Sequence, residues 1–195
     1  MNATLSVITG PMFCGKSEEL TRRLSIAAYA NARILLVKPA QDNREDRNAF
    51  EFVRKNKKLS RYRHIKTTSI KTVAELRELI NDFCPNIIAL DEVQFFPNQL
   101  PKFLDKLLVN NADSDLEIVA SGLDMNAWRE PYPITMKLLA MANSVDKKTS
   151  VCLKCRGKNG PAVFTHKKGS SKKKHEIGSK MYGAACRSCH TIPGR

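Results

Sequence analysis

Long apolar runs are missing from this 195-residue sequence. No stretch approaches the roughly 18 to 20 apolar residues that a membrane-spanning helix requires, so we expect no membrane partner. The ten N-terminal residues lack both a basic region and a long apolar core, so we also expect no signal peptide and a cytoplasmic location. The hydrophobic fraction of 42% is too high for a disordered chain and predicts a packed core.

Acidic residues are scarce: 19 Asp and Glu stand against 33 Lys and Arg, which gives a formal net charge of +14. Much of the positive charge lies in residues 54–63 and 167–174, whose Gly, Ser and Asn residues predict loops. A basic surface can indicate nucleic-acid binding. Small anionic substrates explain the sign of the charge at least as well, so we expect no obligate nucleic-acid partner.

Six cysteines are present, and four of them form two Cys-x-x-Cys pairs: Cys152, Cys155, Cys186 and Cys189. In a chain without an export signal this pattern favours metal binding over disulfides. Four thiolates can close a tetrahedral zinc site with no open position, so the predicted zinc is structural. His190 is a spare ligand candidate, although Cys189 already keeps the pair spacing. Disulfide pairing is the alternative.

Apolar runs of strand length alternate with segments of helical spacing over the first three quarters of the chain. This order predicts an α/β fold, a parallel sheet with helices on both faces. The strands are expected at 4–9, 32–37, 86–90 and 116–120, and the helices at 17–30, 73–83, 100–108 and 134–142. The remainder is poor in large aliphatic residues, which predicts a domain of residues 1–148 and a smaller zinc-binding domain of residues 149–195.

A glycine-rich turn links the first strand to the first helix and fits the pattern G-x-x-x-x-G-K-[ST]. Its glycines allow backbone N–H groups to point at phosphate oxygens, and the helix N-terminus favours the same anion. The lysine can reach the β- and γ-phosphates of ATP, and the serine hydroxyl can bind Mg²⁺. The predicted phosphate-binding residues are Gly10, Pro11, Met12, Phe13, Cys14, Gly15, Lys16 and Ser17. A lowered pKa of the Cys14 thiol at this helix N-terminus is one reading, and simple packing is the other.

Two acids, Asp91 and Glu92, directly follow the third apolar run. An acid at the end of a buried strand beside a phosphate loop is typical of a Mg²⁺ ligand, which is the role predicted for Asp91. A carboxylate near the γ-phosphate can accept the proton of an attacking hydroxyl, which is the role predicted for Glu92. The alternative is that both acids merely cap the next loop.

Five blocks in order resemble the type II thymidine kinases. They are Gly-Pro-Met-Phe-x-Gly-Lys-Ser, Asp-Glu-x-Gln-Phe-Phe, Gly-Leu-Asp with Glu-Pro-Tyr, the first Cys-x-x-Cys, and Tyr-x-x-x-Cys-Arg-x-Cys. The resemblance covers almost the whole chain. It implies a P-loop ATP-binding domain and a zinc-bearing lid whose long loop, the lasso, folds over the nucleoside.

The resemblance also implies roles for individual residues. Glu92 matches the catalytic base, and Lys16 acts with it. The ATP-binding residues are expected to include Asp42, Arg44, Asp91, Glu92, Val93 and Gln94 besides the phosphate loop. The expected nucleoside contacts are Met12, Phe95, Leu123, Trp128, Thr165, Glu176, Ile177, Gly178 and Tyr182. The family usually has an aromatic residue where Ala127 stands, so either Trp128 forms that wall or the pocket is larger.

The implied activity is transfer of the γ-phosphoryl group of ATP to the 5′-hydroxyl of thymidine or deoxyuridine, giving dTMP from thymidine. An arginine, Arg44 or Arg129, can assist the transfer. A homotetramer and feedback binding of dTTP are implied by the resemblance alone. Three alternatives remain: a kinase for another deoxynucleoside, a nucleic-acid-dependent ATPase, and a non-catalytic ATP-sensing protein.

Overall fold

The computed structural model describes residues 2–42, 64–169 and 181–194. Within them, six parallel strands form one sheet in the order β3-β2-β4-β5-β1-β6. The strands are β1 (Thr4–Thr9), β2 (Ile34–Pro39), β3 (Ile65–Ile70), β4 (Ile87–Leu90), β5 (Glu117–Gly122) and β6 (Ser144–Lys147). This confirms the predicted α/β class with a parallel sheet.

Four described helices cover the two faces of this sheet. They are α1 (Lys16–Tyr29), α2 (Val73–Phe83), α3 (Leu100–Asn110) and α4 (Pro133–Met141), and a short 3-10 helix spans Val93–Phe95. Helix α1 packs on one face, where Leu20 and Leu24 meet Ile8 and Leu36. Helices α2, α3 and α4 pack on the other, as predicted for a sheet covered on both faces.

The strand sequences explain this two-sided burial. Successive residues of a strand point to opposite faces, so a strand buried on both sides is a continuous apolar run. In β2, Leu35 and Val37 join one core while Ile34 and Leu36 join the other. All four side chains are fully buried, with 0% exposure.

A small antiparallel pair of strands follows the main sheet: β7 (Phe164–Lys167) and β8 (Tyr182–Ala185). We call this pair the zinc hairpin, because four cysteines cluster at its open end, where Phe164 pairs with Ala185. Gly183 allows the Leu153 side chain to lie directly against its Cα, in the space that a Cβ would occupy. The domain division near residue 148 stays a prediction.

All eight predicted elements are present, with ends shifted by up to two residues. Strands β3, β6, β7 and β8 were not predicted. The prediction that 167–174 forms a loop is wrong at its start, because Lys167 is the last residue of β7 and is only 3% exposed. The basic stretch 54–63 lies outside the described residues. Among the described helices, none has the length and apolarity needed to cross a membrane.

The core predicts a sharp contrast between two residues of α3. Leu104 is fully buried and Val109 is 69% exposed. Leu104→Ala should reduce the free energy of unfolding by about 2–5 kcal/mol, because it removes core contacts and leaves a cavity. Val109→Ala should change it by less than about 0.5 kcal/mol. Urea denaturation at one protein concentration measures both, and equal effects would contradict this assignment of the core.

Candidate functional site

The phosphate loop and the two acids predicted from sequence lie at one edge of the sheet. In a parallel sheet the carboxyl ends of all strands lie at the same edge, where open α/β sheets bind ligands. The phosphate loop follows β1, and Asp91 follows β4. Strand β5 lies between these two strands, with Leu90 opposite Ala120 and Ala120 opposite Val7. Two strand spacings, roughly 10 Å, therefore separate the two strand ends.

The phosphate loop owes its shape to two glycines with positive φ. Gly10 has φ 138°, and a side chain there would collide with the carbonyl oxygen of Lys148. Gly15 has φ 80° and immediately precedes α1. Because α1 begins at Lys16, its first N–H groups and the positive end of its dipole lie at this loop. This is the arrangement that favours a bound phosphate.

The Lys16 side chain is held inside the loop. Its Nζ donates to the carbonyl oxygens of Pro11 at 2.8 Å and Gly10 at 3.3 Å, and the residue is only 8% exposed. Burial raises the pKa of the neighbouring Cys14 thiol despite the nearby lysine. The lowered-pKa reading of Cys14 is therefore wrong, and the packing reading is confirmed, since a buried neutral thiol fits here.

Asp91 and Glu92 occupy different environments although they are adjacent. Asp91 is 1% exposed, and its Oδ1 accepts the Glu92 N–H at 3.1 Å. Glu92 has φ 56°, a left-handed conformation that is uncommon for a residue other than glycine. Such backbone conformations concentrate at functional sites, where surrounding contacts maintain them.

Gln94 links Glu92 to the end of β5. Its Nε2 donates to Glu92 Oε2, and its Oε1 accepts the Leu123 N–H at 3.0 Å. The preceding residue, Gly122, leaves room for this contact: a Cβ there would lie 2.6 Å from Gln94 Oε1 and 2.6 Å from Val93 Cγ2. One amide side chain thus orients the predicted base against a neighbouring strand.

Asp124 is a site residue to which sequence reasoning gave no role. It follows the end of β5, is 6% exposed, and pairs with Lys147 at 3.2 Å. Its charge is one of the influences that raise the pKa of Cys14, so it lies close to the phosphate loop. The sequence pattern that could have identified Asp124 is an acid shortly after a predicted buried strand, which is the pattern that identified Asp91.

Within the described residues, two hydrogen bonds join the C-terminal part of the chain to the phosphate loop. The Met12 N–H donates to Thr165 Oγ1 of β7 at 3.1 Å. The Ser150 hydroxyl donates to the Phe13 carbonyl oxygen at 2.7 Å. Residues separated by about 140 to 150 positions in sequence therefore meet over the nucleotide-binding turn.

Four of the predicted nucleoside contacts have packing that the structure describes. Leu123 is 7% exposed, and Phe95 packs edge-on against Tyr132 with ring centroids 6.4 Å apart. Lys167 Nζ lies 5.4 Å from the Trp128 ring centroid and 6.0 Å from that of Tyr182. Trp128 and Tyr182 therefore lie near the same lysine. The two alternatives, Trp128 as the pocket wall or a larger pocket, both stay predictions.

The other predicted site residues are distributed as follows. Asp42 is 3% exposed and follows β2 at the same edge of the sheet. Arg44, Glu176, Ile177 and Gly178 lie outside the described residues. Arg129, one of the two arginines suggested for the transfer step, contacts the zinc hairpin: its guanidinium lies 4.4 Å from the Phe164 ring centroid.

The four paired cysteines form one cluster, with all Sγ atoms within 4.8 Å of one another. Cys155 and Cys186 Sγ are 3.8 Å apart, far longer than a disulfide bond of about 2.05 Å. Tetrahedral zinc with Zn–S bonds of about 2.3 Å requires sulfur separations of about 3.8 Å. All four cysteines are free, so the predicted metal cluster is confirmed over disulfide pairing.

The electrostatics of the cluster also fit a cation. The backbone N–H of Cys155, with those of Cys186 and Lys154, lowers the pKa of Cys152 to about 6 against the effect of burial. The neighbouring Cys186 thiol and burial raise the pKa of Cys189 to about 12. Four thiolates this close together repel one another, so ionising all four without a cation is unfavourable. A divalent metal ion offsets that repulsion.

His190 is not part of this cluster. The Arg129 Nε–H can only donate, and it lies 3.2 Å from His190 Nδ1, so Nδ1 is the acceptor. Nε2 therefore carries the proton and donates to the Thr165 carbonyl oxygen at 3.1 Å. His190, the spare ligand candidate from the sequence, is therefore not one of the clustered metal-ligand candidates among the described residues.

Comparison with known proteins identifies the family of this chain. A family model described as thymidine kinase matches residues 3–190. The thymidine kinase of Mesomycoplasma hyopneumoniae strain 7448 is 34% identical over 192 residues, which cover 98% of this chain and 97% of that protein. The thymidine kinase of Mycoplasma mobile is 36% identical over 188 residues, covering 95% of this chain and 86% of that protein. The chain therefore belongs to the thymidine kinase family.

Proposed function

We propose that this chain transfers the γ-phosphoryl group of ATP to the 5′-hydroxyl of thymidine, or of deoxyuridine, through Glu92 as the general base. Family membership supports the reaction. The observation that carries the mechanism is the spacing at the sheet edge. The phosphate loop and Glu92 follow strands that are separated only by β5, a distance that a triphosphate and an attached nucleoside can span.

The proposed chemistry is a single displacement at the γ-phosphorus. Glu92 accepts the proton of the nucleoside 5′-hydroxyl while that oxygen forms a bond to the phosphorus. The bond from the phosphorus to the oxygen bridging the β-phosphate breaks, and ADP departs with that oxygen. Gln94 donates to one carboxylate oxygen of Glu92 and so orients the carboxylate that accepts the proton.

Charge on the transferred group is stabilised by the phosphate loop. Lys16 and the N–H groups at the start of α1 supply positive charge where negative charge is shared among phosphate oxygens. Ser17 and the buried Asp91 are the residues that would hold Mg²⁺, which neutralises phosphate charge when bound. Of the two arginines suggested, Arg44 is the one assigned to the phosphates, because Arg129 is engaged with the zinc hairpin.

The nucleoside is assigned to the pocket between the end of β5 and the zinc hairpin. Met12, Phe95, Leu123, Trp128, Thr165 and Tyr182 are the described residues proposed to line it. Glu176, Ile177 and Gly178, which lie outside the described residues, stay nucleoside contacts predicted from the family resemblance. Closure of this region excludes water, which limits transfer of the phosphoryl group to water.

The metal of the cysteine cluster is proposed to be structural zinc. Four sulfur ligands leave no position for substrate or water. The cluster ties residues 152–155 to residues 186–189, so the chain between them is closed at both ends. Closing that segment lowers the entropic cost of ordering it over substrate.

Four further assignments stay predictions that rest on the sequence and the family resemblance. They are a homotetramer, feedback binding of dTTP, a cytoplasmic location and independence from nucleic acid. The division into an ATP-binding domain and a zinc-binding lid at residue 148 is likewise a prediction.

The role of Glu92 predicts the behaviour of a Glu92→Gln variant. The amide keeps the shape of the side chain but cannot accept the proton, so turnover should fall by about 10² or more. Binding of ATP and thymidine, measured by calorimetry, should remain within a few-fold of the wild type. Glu78→Gln, an exposed site on α2, is the matched control. Near-normal turnover of Glu92→Gln would remove Glu92 from this role.

Gln94 is predicted to act mainly by orienting Glu92. Gln94→Ala removes a hydrogen bond to a charged group, which is worth about 1.5–3 kcal/mol, so kcat should fall by about 10- to 100-fold. The KM for ATP should change much less. Steady-state kinetics with each substrate varied separates the two effects. A large rise in the KM for ATP with normal kcat would instead make Gln94 a nucleotide-binding residue.

The zinc assignment predicts one metal ion per chain, bound only when all four sulfurs are present. Cys186→Ser should lower zinc content to well below one per chain, and the melting temperature should fall, because structural zinc contributes directly to folding. Cys84→Ser, a cysteine outside the cluster, should retain full zinc content. Elemental analysis and thermal unfolding measure both. Equal zinc content in the two variants would contradict the site.

A further inference from the structure

We propose that Arg129 is a positioning residue that docks the zinc hairpin and thereby completes the nucleoside pocket. The inference rests on the proposed function, because it concerns the pocket assigned to thymidine. It does not make Arg129 a participant in phosphoryl transfer, since its side chain touches neither the phosphate loop nor Glu92 in the contacts described.

Arg129 lies in a tight turn of the backbone. The loop after β5 folds into a tight turn around Asn126, whose Oδ1 accepts the N–H groups of Trp128 at 2.9 Å and Glu130 at 3.0 Å. The Asn126 Nδ2 donates to Glu130 Oε2 at 2.9 Å. Arg129 itself has φ 63°, a left-handed conformation that this turn maintains. A rigid turn therefore fixes the origin of the arginine side chain.

The guanidinium contacts two side chains, Phe164 of the hairpin and His190, which follows the second cysteine pair. Arg129 Nε donates to His190 Nδ1 at 3.2 Å, and Arg129 Nη2 lies 3.5 Å from the His190 carbonyl oxygen. The guanidinium carbon lies 4.4 Å from the Phe164 ring centroid, within the range of a cation–π contact. The Phe164 and His190 rings are themselves packed at 5.0 Å. One arginine therefore contacts both a hairpin residue, Phe164, and the histidine that packs against it.

Hydrogen bonds link the residues that Arg129 contacts to the phosphate loop. His190 Nε2 donates to the Thr165 carbonyl oxygen at 3.1 Å, and Thr165 Oγ1 accepts the Met12 N–H at 3.1 Å. The contacts Arg129–His190–Thr165–Met12 therefore form a continuous path from the loop after β5 to the nucleotide-binding turn. We call this path the docking chain.

The docking chain has a definite kinetic consequence. The proposed pocket is complete only when the hairpin residues Thr165 and Tyr182 lie beside Leu123 and Trp128. If loss of the arginine leaves the hairpin docked in about a tenth of the molecules, the apparent affinity for thymidine falls about tenfold. Saturating thymidine restores the docked state, so kcat is preserved. A residue that stabilised the transferring phosphoryl group would instead reduce kcat by about 10³ or more.

Arg129→Gly is the most informative variant. Glycine adopts a positive φ without cost, so the substitution removes the side chain and relieves the backbone at once. Arg156→Gly is the matched control, since Arg156 is also an exposed arginine with positive φ, 50°. The three measurements are hydrogen exchange of peptides from β7 and the phosphate loop, steady-state kinetics, and the melting temperature.

For Arg129→Gly we expect faster exchange in β7 and the phosphate loop, a rise of about tenfold in the KM for thymidine, kcat within about twofold, and a melting temperature that is unchanged or higher. Arg156→Gly should match the wild type in exchange and kinetics. Unchanged exchange and KM in Arg129→Gly would overturn the proposal. A fall of about 10³ in kcat would overturn it in favour of a transfer role, and a lowered melting temperature with kcat and KM both impaired would reduce Arg129 to a general structural role.

The exchange measurement needs no substrate, so it tests docking even if the proposed function fails. If the wild-type protein phosphorylates no nucleoside and Arg129→Gly alone shows faster exchange, the kinase assignment is refuted and the docking role is kept. If thymidine phosphorylation is normal and exchange is identical in the wild type and both variants, the kinase assignment is kept and the docking role is refuted.

Discussion

The close contact at Gly122 is the constraint on which the arrangement of the site depends. Its carbonyl oxygen accepts the Thr9 hydroxyl at 3.0 Å, at the point where β1 enters the phosphate loop. On the other side, a Cβ on Gly122 would lie 2.6 Å from both Val93 and Gln94, which directly follow Asp91 and Glu92 after the end of β4. A larger residue would force apart the two halves of the site. The bare backbone of β5 therefore sets the distance between the phosphate loop and the proposed base.

The zinc hairpin completes this site from outside the sheet. It belongs to the C-terminal part of the chain, yet Thr165 accepts a hydrogen bond from the phosphate loop, and Lys167 Nζ lies within 6.0 Å of the ring centroids of both Trp128 and Tyr182. Segments so far apart in sequence meet at a cost in chain entropy. The cysteine cluster and the Arg129 contacts offset this cost, because each fixes the hairpin before any substrate binds.

Much of this architecture could be predicted from the sequence, for identifiable reasons. Strands such as β2 are continuous apolar runs, helices such as α2 have apolar residues at helical spacing, and the phosphate loop is a contiguous motif. Strand β3 was missed because Ile65–Ile70 contains four polar residues in a row and lies half-buried at the sheet edge. Contacts such as Gln94 with Leu123, or Arg129 with His190, depend on tertiary packing and leave no local pattern in the sequence.

The central claim is that the phosphate loop and Glu92 act on one ATP and one nucleoside at the same time. The most direct measurement is transfer of label from γ-labelled ATP, with the purified zinc-loaded protein, to a panel of nucleosides, in the presence and absence of single-stranded DNA. The account predicts labelled thymidine 5′-monophosphate, little labelled inorganic phosphate and no response to DNA. Label that passes only to water, or only when DNA is added, would contradict it.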